Sequence, residues 1–176
     1  MLPLPHPSEA KYDARGIANY FLDKAAAEGV PLTHLHLQKI LYNAHGYFLA
    51  YYNRGLFWQD VQAWKYGPVV PAVYREFASY GRSPIDGRAL VAEPTGFKFH
   101  PVRHDFDASD IAFLDSIWEG HKRVDPLRLS AISHEPGGPW EQVAKGKDLG
   151  AHKGVPIPPT IIRDYFRKQL TKRAAE

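Results

Sequence analysis

The chain has 176 residues and a mass of 19.9 kDa, with 44% hydrophobic and 13% aromatic side chains, enough to bury roughly 70% of its unfolded surface in one domain and too apolar for disorder. No apolar run approaches the ~20 residues that span a bilayer, and the absence of cysteine excludes a disulfide scaffold, a thiolate zinc site, an iron–sulfur cluster and a cysteine nucleophile. The net charge is only +3, and Arg163, Arg167, Lys168, Lys172 and Arg173 set against Asp164 and Glu176 account for all of it, leaving a neutral body unlike that of a nucleic-acid binder.

Residues 1–8 alternate proline with leucine or histidine and are expected to form an extended, unpacked tail. This tail has no basic n-region and no apolar h-region, so no export signal is read and the expected location is the cytoplasm. Asp13 caps a helix running to about Glu28, where Gly29-Val30-Pro31 stops it. Thr33 caps the strongest helix, with Leu37, Ile40, Leu41, Ala44, Phe48 and Tyr51 on one apolar face. Tyr42, Tyr47 and Tyr52 widen that stripe and predict a central helix with neighbours on several sides.

Residues 56–66 read as a short extended segment entering a rigid bend at Gly67-Pro68. Pro71 opens a short helix with Val73, Tyr74 and Phe77, closed by Gly81. Ala89–Ala92 and Phe97–His100 predict a small hairpin in the proline- and glycine-punctuated stretch that follows. Asp107 caps the next helix, and Asp125-Pro126 starts another that ends near Ser133. A loop from His134 to Trp140 contains Pro139, which begins a short helix, and Pro158-Pro159 leads into a last helix carrying Ile161, Ile162, Tyr165, Phe166 and Leu170. The expectation is a mostly α (α+β) chain: a single compact helical domain over residues 9–172 with a small β element in the middle.

Catalytic and metal signatures are thin. His34 and His36 lie two apart on a helix, so they point roughly 200° apart and cannot chelate one ion. His134-Glu135 begins like a zincin motif, but Gly138 stands where the second histidine belongs. The nine histidines therefore read as scattered and partly exposed, with no metal and no cofactor expected. Ser133-His134-Glu135 supplies triad residue types, but neighbours in sequence do not make a relay. Two alternatives stay open: an enzyme using His134 and Glu135, and a nucleic-acid-binding or phage-associated regulatory protein using the basic C-terminal helix. The aromatic side chains in and beside loops are more informative, because tyrosine and tryptophan bury large areas in interfaces at low entropic cost.

The segment Leu37-Gln38-Lys39-Ile40-Leu41-Tyr42-Asn43-Ala44-His45-Gly46-Tyr47-Phe48-Leu49-Ala50 resembles a helix of the Panacea-domain antitoxin family. Ala63-Trp64-Lys65-Tyr66-Gly67-Pro68-Val69-Val70-Pro71-Ala72-Val73-Tyr74 is similar to that family's A-W-x-Y-G-P-V-V-P-x-V-Y segment almost letter for letter. Phe77 to Gly81, the Ser133-His134 and Pro139-Trp140 elements and the closing Ile161–Phe166 helix extend the resemblance from about residue 15 to 170. Asn43 and His45 depart from the usual aromatic and glutamine, and Gly137-Gly138 is set inside the H…PW loop. These departures bear on which toxin is bound rather than on the class.

The resemblance implies a non-enzymatic antitoxin that binds and neutralises a cognate protein toxin. In the SocA-like group it also implies a proteolytic adaptor that delivers the toxin to the ClpXP protease. The partner-facing residues expected on this basis are Tyr66, Val69, Tyr74, His134, Glu135 and Trp140, with the aromatics buried against the toxin and His134 and Glu135 fixing the loop or adding polar specificity. Leu2 and Leu4 are the expected protease-docking residues; neither a membrane nor a nucleic acid is an expected partner.

Overall fold

The structure is a computed structural model that describes residues 9–175. Leu2, Leu4 and the rest of the proline-alternating tail lie outside the described residues. Helix α1 (Ala14–Glu28) starts where the Asp13 carboxylate accepts the Arg15 N–H at 2.8 Å and ends at Gly29, whose left-handed backbone donates to Ala25 and Ala26. Helix α2 (His34–Tyr52) is capped by Thr33 and closed by Asn53 at φ 55°. Apart from its last turn, α2 is buried on nearly every side, because α1 and most of the later helices pack around it.

The extended segment becomes two strands rather than one. Strands β1 (Gln62–Trp64) and β2 (Gly67–Val69) form an antiparallel hairpin, with Trp64 opposite Gly67 and Lys65-Tyr66 as its two-residue loop. A third short strand, which precedes the last helix, pairs with the other edge of β1, setting Val155 opposite Ala63. The sequence reading missed this sheet because its strands are two or three residues long and one partner is far downstream. Next come helix α3 (Pro71–Phe77), a 3-10 turn at Ala78–Tyr80 and the expected hairpin, β3 (Leu90–Ala92) with β4 (Phe99–Pro101). Asn19 in α1 fastens the base of this hairpin by donating to Ala89 and Val102 and accepting the Ala89 N–H.

Helices α4 (Ala108–His121), α5 (Pro126–Ser133) and α6 (Pro139–Ala144) follow, then β5 (Val155–Pro156) and α7 (Pro159–Ala174). Asp125 caps α5 through the Leu127 and Arg128 N–H groups. Asp107 stands at the expected N-cap of α4 but makes no side-chain cap bond; its carboxylate pairs with Lys11 instead. The chain is thus mostly α with small β elements. Phe21, Phe48, Leu114 and Trp118 sit in one continuous core, in which Phe21 stacks on Trp118 at 6.3 Å. Among the described residues no helix is long and apolar enough to cross a membrane.

Candidate functional site

The Gly-Pro bend is built on two polar side chains of α2. Gln38 brackets the end of β2, accepting the Val70 N–H at 2.8 Å and donating to the Val70 carbonyl at 3.4 Å. Lys39, only 1% exposed, donates to the Tyr66 and Pro68 carbonyls at 3.4 and 3.3 Å. Gly67 sits over it at φ 110°, where a Cβ would collide with Lys39 Nζ and approach His134 Cε1 to 2.9 Å. A side chain at residue 67 would therefore be excluded both by backbone conformation and by space.

Above this floor lies a cleft of about 330 Å³, lined among others by His34, Leu35, Trp64, Tyr66, Val69 and Tyr74. The Tyr74 ring lies 4.7 Å from His34 and 4.8 Å from Trp64, and its hydroxyl is hydrogen-bonded to His152 Nδ1 at 3.0 Å. Tyr66 is 63% exposed on the rim, with Lys65 Nζ 5.4 Å above its ring. Burial lowers the His34 imidazole to about 4 and the Lys39 ammonium to about 7, since desolvation penalises the charged form of each. No described carboxylate forms an ion pair with Lys39.

Of the six expected partner-facing residues, Tyr66, Val69 and Tyr74 come together in this cleft. His134 and Trp140 lie behind the hairpin. Trp140 donates its indole N–H to the Trp64 carbonyl at 2.7 Å and packs against the His134 ring at 4.3 Å, bracing β1 from below. Glu135 turns to a second cleft of about 290 Å³, which Tyr42, Arg128, Tyr165 and Gln169 also line. Its carboxylate accepts from the Tyr165 hydroxyl at 2.5 Å and from Gln169 at 3.2 Å.

His134 Nδ1 lies 2.7 Å from the Ser130 carbonyl, so it carries the proton and donates there. The Ser133 hydroxyl also donates to Ser130, at 2.7 Å. Ser133 and His134 are therefore both spent on closing α5, and Nδ1 is unable to act as a base toward the neighbouring serine.

Several residues of the cleft escaped sequence reasoning. Gln38 and Lys39 appeared only as polar members of the family-like segment in a helix expected to have neighbours on several sides, with no role assigned to either. His34 and His152 carried no distinguishing pattern. The histidines of α2 differ from the expectation: His34, His36 and His45 are buried, because the central helix leaves no solvent face for them. The basic C-terminal helix also differs. Arg163 is 1% exposed and bonds to Asp164 and Asn53, while Arg167 reaches back to the Ala50 carbonyl. The β3–β4 hairpin carries an exposed apolar surface, with Phe97 91% exposed and Leu90, Val91 and Phe99 beside it.

A family model described as "Antitoxin SocA-like, Panacea domain" matches residues 37–141, which takes in most of α2, the Gly-Pro hairpin and the loop to Trp140. The protein named Antitoxin SocA from Caulobacter vibrioides (strain NA1000 / CB15N) is 38% identical over 157 residues, covering 89% of this chain and 84% of that one. No solved structure matches the chain.

Proposed function

The chain belongs to the SocA-like, Panacea-domain antitoxin family, and from that premise we propose that it neutralises a cognate protein toxin in the cytoplasm by covering it, without catalysing a reaction. The observation that carries this reading is the cleft beside the Gly-Pro bend, where Tyr66, Val69 and Tyr74 present apolar and aromatic surface around a space no segment of the described chain fills. Tyr74, held by His34, Trp64 and His152, is suited to anchoring a partner because its side-chain freedom is already spent, and Tyr66 stands exposed on the loop of the braced hairpin. His134 and Trp140 support the surface from behind and act on affinity through the hairpin's position. Glu135 gives polar specificity only if the partner extends over the second cleft. Delivery of the held toxin to the ClpXP protease belongs to the same reading as a further step.

The experiment is co-expression with the toxin encoded in the neighbouring reading frame, followed by affinity measurement on the purified complex. Tyr66→Ala and Tyr74→Ala each cost about 2 kcal/mol of binding, roughly thirtyfold in Kd, while the chain keeps its fold. Growth rescue is lost in parallel. Unchanged affinity in both variants moves the contact surface elsewhere on the molecule, and a neighbouring polypeptide that is neither toxic nor bound ends the antitoxin reading for this chain.

A further inference from the structure

Lys39 is a buried cation with incomplete compensation. Its ammonium has three donors, and two of them make long bonds to the Tyr66 and Pro68 carbonyls at 3.4 and 3.3 Å. It forms no ion pair within the described chain, yet it lines the open cleft. Burying a charge without a counter-charge is costly, and a lysine serving only to pin two carbonyls has neutral substitutes. Apart from the Gln38 amide and the imidazoles of His34 and His152, the remaining lining is apolar or aromatic, so Lys39 is the one ammonium side chain that an incoming group meets in the cleft.

Resting on the proposed antitoxin reading, we infer that this cleft is the receptor for an acidic side chain of the toxin: an aspartate or glutamate whose carboxylate pairs with Lys39 Nζ, flanked by an apolar side chain against Tyr66 and Tyr74. Charge complementarity selects the carboxylate, and the volume of about 330 Å³ leaves room for the flanking group. The pairing completes the third donor of Lys39 and supplies the missing counter-charge. In the free chain the ammonium is held near 7 by burial, so above that value forming the pair requires proton uptake. Affinity therefore falls as pH rises from about 7.5 to 9.5, by at most tenfold per unit. The titratable groups facing the cleft are His34 from α2, Lys65 and Tyr66 from the β1–β2 loop, Tyr74 from α3, His152 from the segment before β5, and His134 beneath Gly67.

The test uses the complex of the full chain with its toxin. Lys39→Met keeps the length of the side chain and removes the buried charge. It is expected to raise the thermal midpoint of the free chain at pH 7, to weaken toxin binding by at least about tenfold, and to abolish the alkaline loss of affinity, which separates Lys39 from the other groups around the cleft. A lysine with a purely structural role gives the reverse, lower stability with affinity intact. A second measurement needs no variant: zero-length carbodiimide coupling of the wild-type complex is expected to join Lys39 to an internal aspartate or glutamate of the toxin, read by peptide mass spectrometry.

Unchanged affinity and pH profile in Lys39→Met, or coupling that never includes Lys39, overturns the inference while leaving the antitoxin reading intact. Coupling to the toxin's terminal carboxylate overturns the assignment to a side chain. A wild-type chain that holds no toxin at all overturns the reading beneath it.

Discussion

At φ 110°, with Lys39 Nζ beneath it and His134 beside it, Gly67 is held by two independent restraints. Gly67→Ala must adopt a strained backbone and push the buried lysine aside, which together cost about 2–3 kcal/mol. Because the hairpin carries Tyr66 and Val69, the same change is expected to weaken toxin binding more than its stability loss accounts for. Urea unfolding and affinity measured on one preparation separate the two effects. Lys39 and Gln38 explain why: the helix holds the bend by its carbonyls and by the Val70 amide, so the rim is positioned from below rather than by its own turn. None of this could be read from Gly67-Pro68 as a dipeptide, which announces a bend but not what lies under it.

Among the elements, α2 and α7 make the most extensive helix–helix contact, and Gly46 lies in it against Phe166. A Cβ at Gly46 would overlap the Phe166 ring, which is itself wedged edge-on between Tyr42 at 5.5 Å and Tyr47 at 4.8 Å. Gly46→Ala gains up to about 1 kcal/mol in helix propensity. Overpacking against the Phe166 ring costs about 1–3 kcal/mol, so the net effect is destabilising and loosens α7. A lower thermal midpoint with faster amide exchange in α7 is the expected outcome; a raised midpoint means that Phe166 can move aside.

The helices themselves were legible at this scale. Asp13, Thr33 and Asp125 each mark a start, and Gly29 marks a stop, because capping chemistry is local. Asp107 occupies a cap position without the cap bond, since Lys11 competes for its carboxylate. The three-stranded sheet was not legible, because two- and three-residue strands have no periodicity to read and β5 joins from a distant part of the chain.

For the whole molecule, the buried histidines set the acid limit. Burial lowers His34 to about 4 and His45 to about 3, and also lowers His36 and His121. The unfolded imidazoles take up protons near 6.5. Below that value the unfolded state binds protons the folded state refuses, so stability is present above pH 6.5 and is lost as pH falls toward 4. Lys39 adds a slope on the other side. Between about 7 and its unfolded value of 10.5 the unfolded chain holds the proton that the folded chain has released, and stability rises with pH. Above about 10 the trend reverses, because burial and the Asp110 carboxylate raise Tyr12 to about 12, and Tyr20 and Tyr165 are raised as well. A thermal midpoint that climbs from pH 5 to pH 9 is expected in a calorimetric series. A maximum near pH 6 contradicts neutral buried histidines and a partly deprotonated Lys39 together.

The amino-acid sequence by itself determined the helical class, most helix boundaries, the β3–β4 hairpin and the family, because periodicity, caps and the A-W-x-Y-G-P-V-V-P segment are written along the chain. It also brought forward Tyr66, Val69 and Tyr74 as surface aromatics and their neighbour. Only the tertiary structure decided that these three share a cleft while His134 and Trp140 stand behind them and Glu135 opens elsewhere. It alone placed Lys39 under the bend and took Arg163 out of the basic helix face. The reason is physical: which side chains lose water, and which charges are left without a counter-ion, depends on how distant segments pack around α2, and no local pattern encodes that.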